Sequence, residues 1–136
     1  MASPNEQDKL EQFLLDNIES YEELEVILYL SDHEMALDAE TLARELRVPT
    51  AATRAALEAL NQRGLVRCTT ASGGSFRYIP RSSEVDELVK ALLAEYRRDR
   101  MQIIDLMTQN AIFRLRRAAI KTFADCFRLG RSKKDA

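Results

Sequence analysis

The 136-residue chain contains little of several residue types that mark common classes of protein. Three prolines and four glycines provide few interruptions, which favours a mostly helical fold. The two cysteines, at positions 68 and 126, lack the spacing of a metal site and indicate free thiols. No apolar run approaches the ~20 residues of a membrane-spanning helix. The polar, acidic start MASPNEQDKL differs from a signal peptide, so we expect a cytoplasmic protein.

The chain also lacks the residue constellations on which most enzymes depend. Its single histidine, His33, lies in an acidic stretch at the end of a predicted helix, where a surface or capping role is the ordinary one. The sequence shows no phosphate-binding glycine loop, no cysteine–histidine pair and no suggestive pair of acids. We therefore expect no enzymatic activity, no cofactor and no bound metal, and a binding function instead.

The net charge of −2 conceals a strong asymmetry along the chain. The first 48 residues carry a net charge of −10, and residues 49–82 carry +4. Residues 83–110 carry −2, and the last segment, 111–136, carries +6. Basic segments of this kind attract a nucleic-acid backbone. An acidic front and a basic tail can equally neutralise each other inside a dimer, and the sequence leaves both readings open.

Residues 38–82 show the order helix, tight turn, helix and hairpin. Asp38 is suited to cap the first helix, and Pro49 disfavours helical backbone at the residue before it, so the first helix must end there. Thr50 is suited to cap a second helix over about 50–63. The apolar positions of both helices recur at helical spacing: Leu42, Ala43 and Leu46 in the first, and Thr53, Ala56, Leu57 and Leu60 in the second.

A hairpin is predicted directly after these helices. Gly64 stands where a left-handed residue ends a helix, with Leu65 as the following hydrophobic contact. Two extended segments, 65–70 and 75–80, flank the loop 71–74, whose composition is that of a hairpin turn. Upstream, Met35, Ala36 and Leu37 are expected to add a short strand to the same sheet.

Helical periodicity accounts for most of the remaining chain. The first predicted segments are a helix over 6–16 and a helix from a Ser20/Glu23 capping box to about Ser31. After the wing, a long helix begins at Glu84, is capped by Ser83 and breaks at Gln109–Asn110. A last helix extends to about Gly130, and a basic, disordered tail is predicted over 131–136. In the last helix, Cys126 is expected to be part of a core.

The helix-turn-helix and hairpin carry a recognisable pattern of core and turn residues. Its members are Leu42, Ala43, Leu46 and Val48, then Leu60, Arg63, Gly64, Leu65 and Val66. This pattern resembles bacterial winged helix-turn-helix transcription regulators of the MarR type. The resemblance implies a mostly α (α+β winged helix) fold with a small β-hairpin wing. It also implies a homodimer formed by the long terminal helices, with an N-terminal helical arm (1–19), a winged-helix domain (20–82) and a C-terminal dimerisation region (83–136).

For a protein of this type, the expected partner is double-stranded DNA. The helix over about 50–63 would enter the major groove, and the wing over about 65–80 would lie on the flanking backbone or minor groove. Our candidate DNA contacts are Thr50, Thr53 and Arg54 on the helix, and Arg67 and Arg77 on the wing. Arg54 is the strongest of them on the helix, because arginine pairs well with guanine or with phosphate.

Three other hypotheses remain open. A winged helix also serves as a protein-docking adaptor with little DNA binding, and the acidic first 48 residues would suit a basic protein partner. The basic, amphipathic segment 111–134 has the composition of a membrane-surface helix, although a dimerisation helix with a solvated basic face has the same composition. Finally, Cys68 lies at the base of the predicted wing, where oxidation would shift a recognition element.

Overall fold

A computed structural model describes residues 4–71 and 73–134, with side chains described for residues 5–71 and 73–127. This part of the chain contains six helices and one three-stranded sheet. The helices are α1 (Pro4–Asn17), α2 (Tyr21–Asp32), α3 (Ala39–Leu46), α4 (Thr50–Gln62), α5 (Ser83–Arg98) and α6 (Arg100–Lys134), and the strands are β1 (Leu37–Asp38), β2 (Val66–Cys68) and β3 (Ser75–Tyr78). The prediction of a mostly helical chain with a small hairpin is confirmed.

The hydrophobic core is built around α2, which packs against α4 on one side and α5 on another. Its largest fully buried side chains come from every helix: Leu14, Leu24, Ile27, Leu30, Leu42, Leu57, Leu60, Leu92 and Ile103, with Ile18 and Leu65 from the connecting segments. Burial of each such side chain contributes about 1.5–3 kcal/mol. The helical spacing of apolar residues therefore predicted the faces that form the core.

Side-chain caps fix where several helices begin. The Asp38 carboxylate accepts the backbone N–H of Thr41 at 2.7 Å, as predicted. Ser20 Oγ accepts the N–H of Glu23 at 3.1 Å, which confirms that cap. Two predicted caps are displaced by one residue. Pro49 occupies the cap position of α4 and makes no side-chain hydrogen bond, while Ser82, rather than its neighbour, caps α5.

Two helices end in left-handed backbone. Arg47 follows α3 with φ 57°, and the N–H of Val48 returns to the carbonyl of Ala43 at 3.0 Å. Gly64 follows α4 with φ 76°, and the N–H of Leu65 returns in the same way to the carbonyl of Leu60. Both arrangements satisfy carbonyl groups that a helix end leaves unpaired. The first creates the tight turn of the helix-turn-helix, and the second directs the chain into the wing.

The sheet is antiparallel, with β3 between β1 and β2. Leu37 pairs with Phe76, so a strand does close the wing, but it is Leu37–Asp38 and excludes the predicted Met35 and Ala36. The two wing strands are also shorter than predicted. Position 72 of the predicted turn lies outside the described residues.

The predicted break at Gln109–Asn110 is wrong, because both residues lie inside α6. The chain bends at Asp99 instead, where φ is −151°. The Asp99 carboxylate accepts the N–H of Gln102 at 3.3 Å and thereby caps the start of α6. The end predicted near Gly130 is also wrong, since α6 continues to Lys134; positions 135 and 136 of the predicted tail lie outside the described residues.

Polar contacts hold the bend between α5 and α6 against α2. The Tyr96 hydroxyl donates to Glu25 Oε1 at 2.6 Å, and Arg97 donates to Asp32 at 2.7 Å. Ile103 and Met107 of α6 are buried. The chain therefore covers the first part of the C-terminal apolar stripe itself. Residues 115–127 are exposed, including Cys126, for which the core prediction is wrong.

Candidate nucleic-acid interface

The surface of α4 that faces solvent is small and mostly uncharged. Its exposed residues are Ala51, Arg54, Ala55, Glu58, Asn61 and Gln62. Ala52 is half-buried. Because three of these side chains can donate hydrogen bonds, the face has the groups needed for contacts with base edges. Arg54 is its single cation.

The two threonines predicted as DNA contacts differ in position. Thr50 is the first residue of α4 and is half-buried. Thr53 is fully buried, and its hydroxyl donates to the carbonyl of Pro49 at 3.1 Å. A side chain in this position cannot reach a base or a phosphate. The prediction of Thr53 as a contact is therefore wrong, because its hydroxyl serves the first turn of α4.

Arg54 is exposed but already has a partner. Its Nη2 donates to Oε1 of Glu40, in the first turn of α3, at 2.8 Å. The pair joins the two helices of the helix-turn-helix across their solvent-facing side. Residue type and periodicity point to Arg54 but not to Glu40, because residues 14 positions apart on different helices show no local pattern.

The wing places its two predicted arginines directly opposite each other. Arg67 on β2 and Arg77 on β3 are register partners, and both are exposed. Neither guanidinium group has an ion pair or a hydrogen bond within the described part of the chain. Like charges in this relationship destabilise a hairpin unless an anion lies between or beside them. The pair is thus the clearest concentration of unbalanced positive charge on the wing.

Two further arginines from the basic segment 49–82 have structural roles. Arg63 forms ion pairs with Glu23 and with Glu19, the latter at 3.5 Å, and so ties the end of α4 to the start of α2. Arg81 donates to the Arg63 carbonyl at 2.7 Å and lies over Gly64, where a Cβ would approach Arg81 Cβ to 3.1 Å. These arginines orient the helix and the wing.

A hydrogen bond anchors the wing to α5. The Tyr78 hydroxyl donates to Asp86 at 2.7 Å, and Lys90 pairs with the same carboxylate at 2.9 Å. The Tyr78 hydroxyl, followed by Lys90, lowers the pKa of Asp86, while burial and the nearby carboxylate raise the pKa of Tyr78. Hydrogen bonds from Thr41 likewise lower the pKa of Asp38. These shifts keep the carboxylates of Asp38 and Asp86 ionised and the Tyr78 hydroxyl protonated near neutral pH. The hydrogen bonds of the wing and of α3 therefore persist at that pH.

Cys68 occupies the base of the wing, as predicted. It is half-buried, and its Sγ donates to the carbonyl of Thr70 at 3.2 Å. Within the described residues, no group of three or more histidine, cysteine, aspartate or glutamate side chains could hold a metal ion. None of the described helices combines the length and apolar character needed to cross a membrane.

Comparisons with known proteins support the fold. No family model and no curated protein matches the sequence. Reduced HlyU from Vibrio cholerae is similar, with 23% identity, a TM-score of 0.50, and coverage of 68% of this chain and 94% of that one. A MarR family transcriptional regulator from Silicibacter pomeroyi DSS-3 has 15% identity and a TM-score of 0.51, covering 90% and 87%. The transcriptional regulator PA3341 has 19% identity and a TM-score of 0.51, covering 90% of both chains. The MarR-like winged-helix fold is thereby confirmed.

Proposed function

We propose that this protein is a DNA-binding transcription regulator that acts as a homodimer in the cytoplasm and has no enzymatic activity. In this proposal α4 enters the major groove, and the wing lies on the flanking backbone or minor groove. Residues 1–19, 20–82 and 83–136 form the helical arm, the winged-helix domain and the dimerisation region. The fold that the chain shares with solved transcriptional regulators supports this assignment.

The observation that carries the proposal is the Arg67–Arg77 pair. Two exposed guanidinium groups in register, without a carboxylate partner among the described residues, form a site for an anion. A phosphate of the DNA backbone satisfies both groups and relieves their repulsion. Contacts of this kind fix the position of a protein on the duplex without reading its sequence.

Sequence readout then depends on α4. Arg54 is the side chain there with the strongest base preference, since arginine binds O6 and N7 of guanine in a bidentate manner. Asn61 and Gln62 are amides suited to adenine, but they lie at the far end of the helix. We therefore expect a short recognition element in which one guanine contact dominates.

The dimer is proposed from the uncovered stripe on α6. Its exposed apolar side chains are Ile112, Phe113, Leu115, Ile120, Phe123 and Phe127, with exposures between 44% and 74%. Among them Phe113, Ile120 and Phe127 are spaced by seven residues and share one face. An apolar face of this length is unfavourable in water and indicates a protein partner, most simply a second copy.

The charges of the chain complement this stripe. A groove between α1 and α5 is lined by apolar residues that include Leu10 and Leu88, by Lys9, and by four glutamates: Glu6, Glu84, Glu87 and Glu95. Exposed Arg116 lies on the same face of α6 as this stripe, and exposed Arg117 and Lys121 lie beside it. A basic apolar helix from one copy thus matches an acidic apolar groove on the other.

The test is DNA binding by the purified protein, measured by fluorescence anisotropy at two salt concentrations. The probes are duplex fragments from around its own gene and a random-sequence duplex. We expect salt-dependent binding, and we expect Arg67→Gln and Arg77→Gln each to weaken binding to all sequences and to reduce the salt slope by about 1. Arg54→Ala should reduce the preference for selected sequences.

Arg98→Gln is the matched control, because it removes an equal charge from an exposed arginine that pairs with Glu95 within α5. It should leave binding nearly unchanged. A folded protein that binds no duplex at low salt would contradict the proposal. Salt-insensitive association with a protein partner would favour the adaptor hypothesis instead.

A further inference from the structure

Arg54, the one cation on the exposed face of α4, forms an ion pair with Glu40. The partners are 2.8 Å apart and remain 54% (Arg54) and 59% (Glu40) exposed, so the pair lies on the surface. Exposed pairs of this kind contribute little to stability. Glu40 can therefore be substituted without loss of the fold. Its main effect is on the Arg54 side chain, with which it is paired.

The Glu40 carboxylate has different effects on two DNA groups that could accept hydrogen bonds from Arg54, a backbone phosphate and the edge of a guanine base. A phosphate that binds the Arg54 guanidinium brings a second negative charge close to Glu40, and the two anions repel each other. Guanine O6 and N7 carry no formal charge, and Arg54 has five N–H donors, of which Glu40 uses one. The guanidinium can thus keep its contact with Glu40 while it donates to guanine.

We propose that Glu40 is a specificity-determining residue that suppresses phosphate binding by Arg54 and reserves this arginine for a neutral base edge. This inference rests on the proposed function, since it assigns a role within the same DNA interface. Glu40 lowers affinity for DNA in general and thereby widens the difference between a selected sequence and all others.

The experiment compares Glu40→Gln with Glu45→Gln on a random-sequence duplex and on a duplex selected from a random pool with the wild type. Glu45 is also exposed on α3 and has no partner among the described residues, so its substitution makes the same change in net charge. We expect Glu40→Gln to bind random DNA about 5- to 10-fold more tightly than Glu45→Gln, with a salt slope larger by about 1. The ratio of selected to random affinity should fall.

The double variant Glu40→Gln/Arg54→Ala identifies the cause. If Glu40 acts through Arg54, the gain on random DNA disappears in this background. The inference is overturned if the gain in affinity for random DNA persists without Arg54. It is also overturned if the Glu40 and Glu45 variants bind equally to DNA that the wild type binds. Both results leave the proposed function intact. If neither the wild type nor Glu40→Gln binds any duplex, the proposed function fails as well. Circular dichroism of each variant verifies that the fold is retained.

Discussion

Arg47 is a strained residue in the turn between α3 and α4. It is the one non-glycine residue with positive φ in the part of the chain that the structure describes. Left-handed backbone costs a residue with a Cβ about 1–2 kcal/mol, whereas glycine adopts it freely. The turn nevertheless forms, because the return hydrogen bond of Val48 and the packing of both helices impose it.

We expect Arg47→Gly to raise the free energy of unfolding by about 0.5–1 kcal/mol, after the larger chain entropy of glycine is deducted from the relieved strain. Urea denaturation followed by circular dichroism measures the change. Arg47→Ala is the control, since it removes the same charge and keeps the Cβ. Equal stabilisation by alanine and glycine would show that side-chain charge, and not backbone strain, limits stability here.

Residue type and periodicity predict only part of the candidate site. Arg54, Arg67 and Arg77 were identified from residue type and periodicity, and all three are exposed. The sequence pattern of Thr53 fits both the apolar face of α4 and a DNA contact, and its complete burial shows that it belongs to the apolar face. Glu40 was not identified, because its role depends on how two helices pack.

Among the secondary-structure elements, local chemistry predicted the starts and ends of helices better than the bend between α5 and α6. Caps and left-handed ends depend on a few neighbouring residues, as at Asp38 and Gly64. The bend at Asp99 lies in a charged stretch with no glycine or proline, while Gln109–Asn110 merely interrupts the apolar pattern. Contacts of Tyr96 and Arg97 with α2 hold α5 in place, and such long-range contacts leave no local pattern.

Tyr96 makes the junction of α2 and α5 sensitive to alkaline pH. Burial, followed by the hydrogen bond to Glu25, raises the pKa of Tyr96 to about 12. Because the pKa of Tyr96 is higher in the folded state than in the unfolded state, its protonated hydroxyl contributes to the free energy of unfolding. That contribution is complete below pH 10 and is lost as pH rises through about 12. We expect Tyr96→Phe to flatten the decline in unfolding free energy over this interval relative to the wild type, in urea denaturation at a series of pH values.

The absorbance at 295 nm provides an independent measure of the same ionisation. Tyr96→Phe should remove a transition near pH 12 from the titration. Glu25→Gln should move that transition to lower pH, because it removes the nearby carboxylate. An unchanged alkaline profile in both variants would mean that the hydroxyl does not hold α5 against α2 in solution.

At the scale of the whole molecule, the chain has more apolar helical surface than one copy covers. Ile103 and Met107 are buried in the core, yet Ile120, Phe123 and Phe127 further along α6 are exposed. The apolar neighbours of Cys126 predict a core around it, yet its side chain is exposed in the described part of the chain. A second copy would bury the stripe, and binding by paired helices to two half-sites would then follow from its two-fold symmetry.

We therefore expect Ile120→Glu to weaken the dimer at least about 10-fold, because it replaces an apolar side chain by a carboxylate in an apolar interface. Ala118→Glu adds the same charge on the opposite face of α6 and should leave the dimer intact. Sedimentation equilibrium measures both. A wild type that is monomeric at micromolar concentration would refute the second-copy assignment. The same variants are then compared for DNA affinity. If Ile120→Glu loses both the dimer and DNA affinity while Ala118→Glu keeps the dimer and the affinity, DNA binding requires two recognition helices in a dimer formed through the α6 stripe.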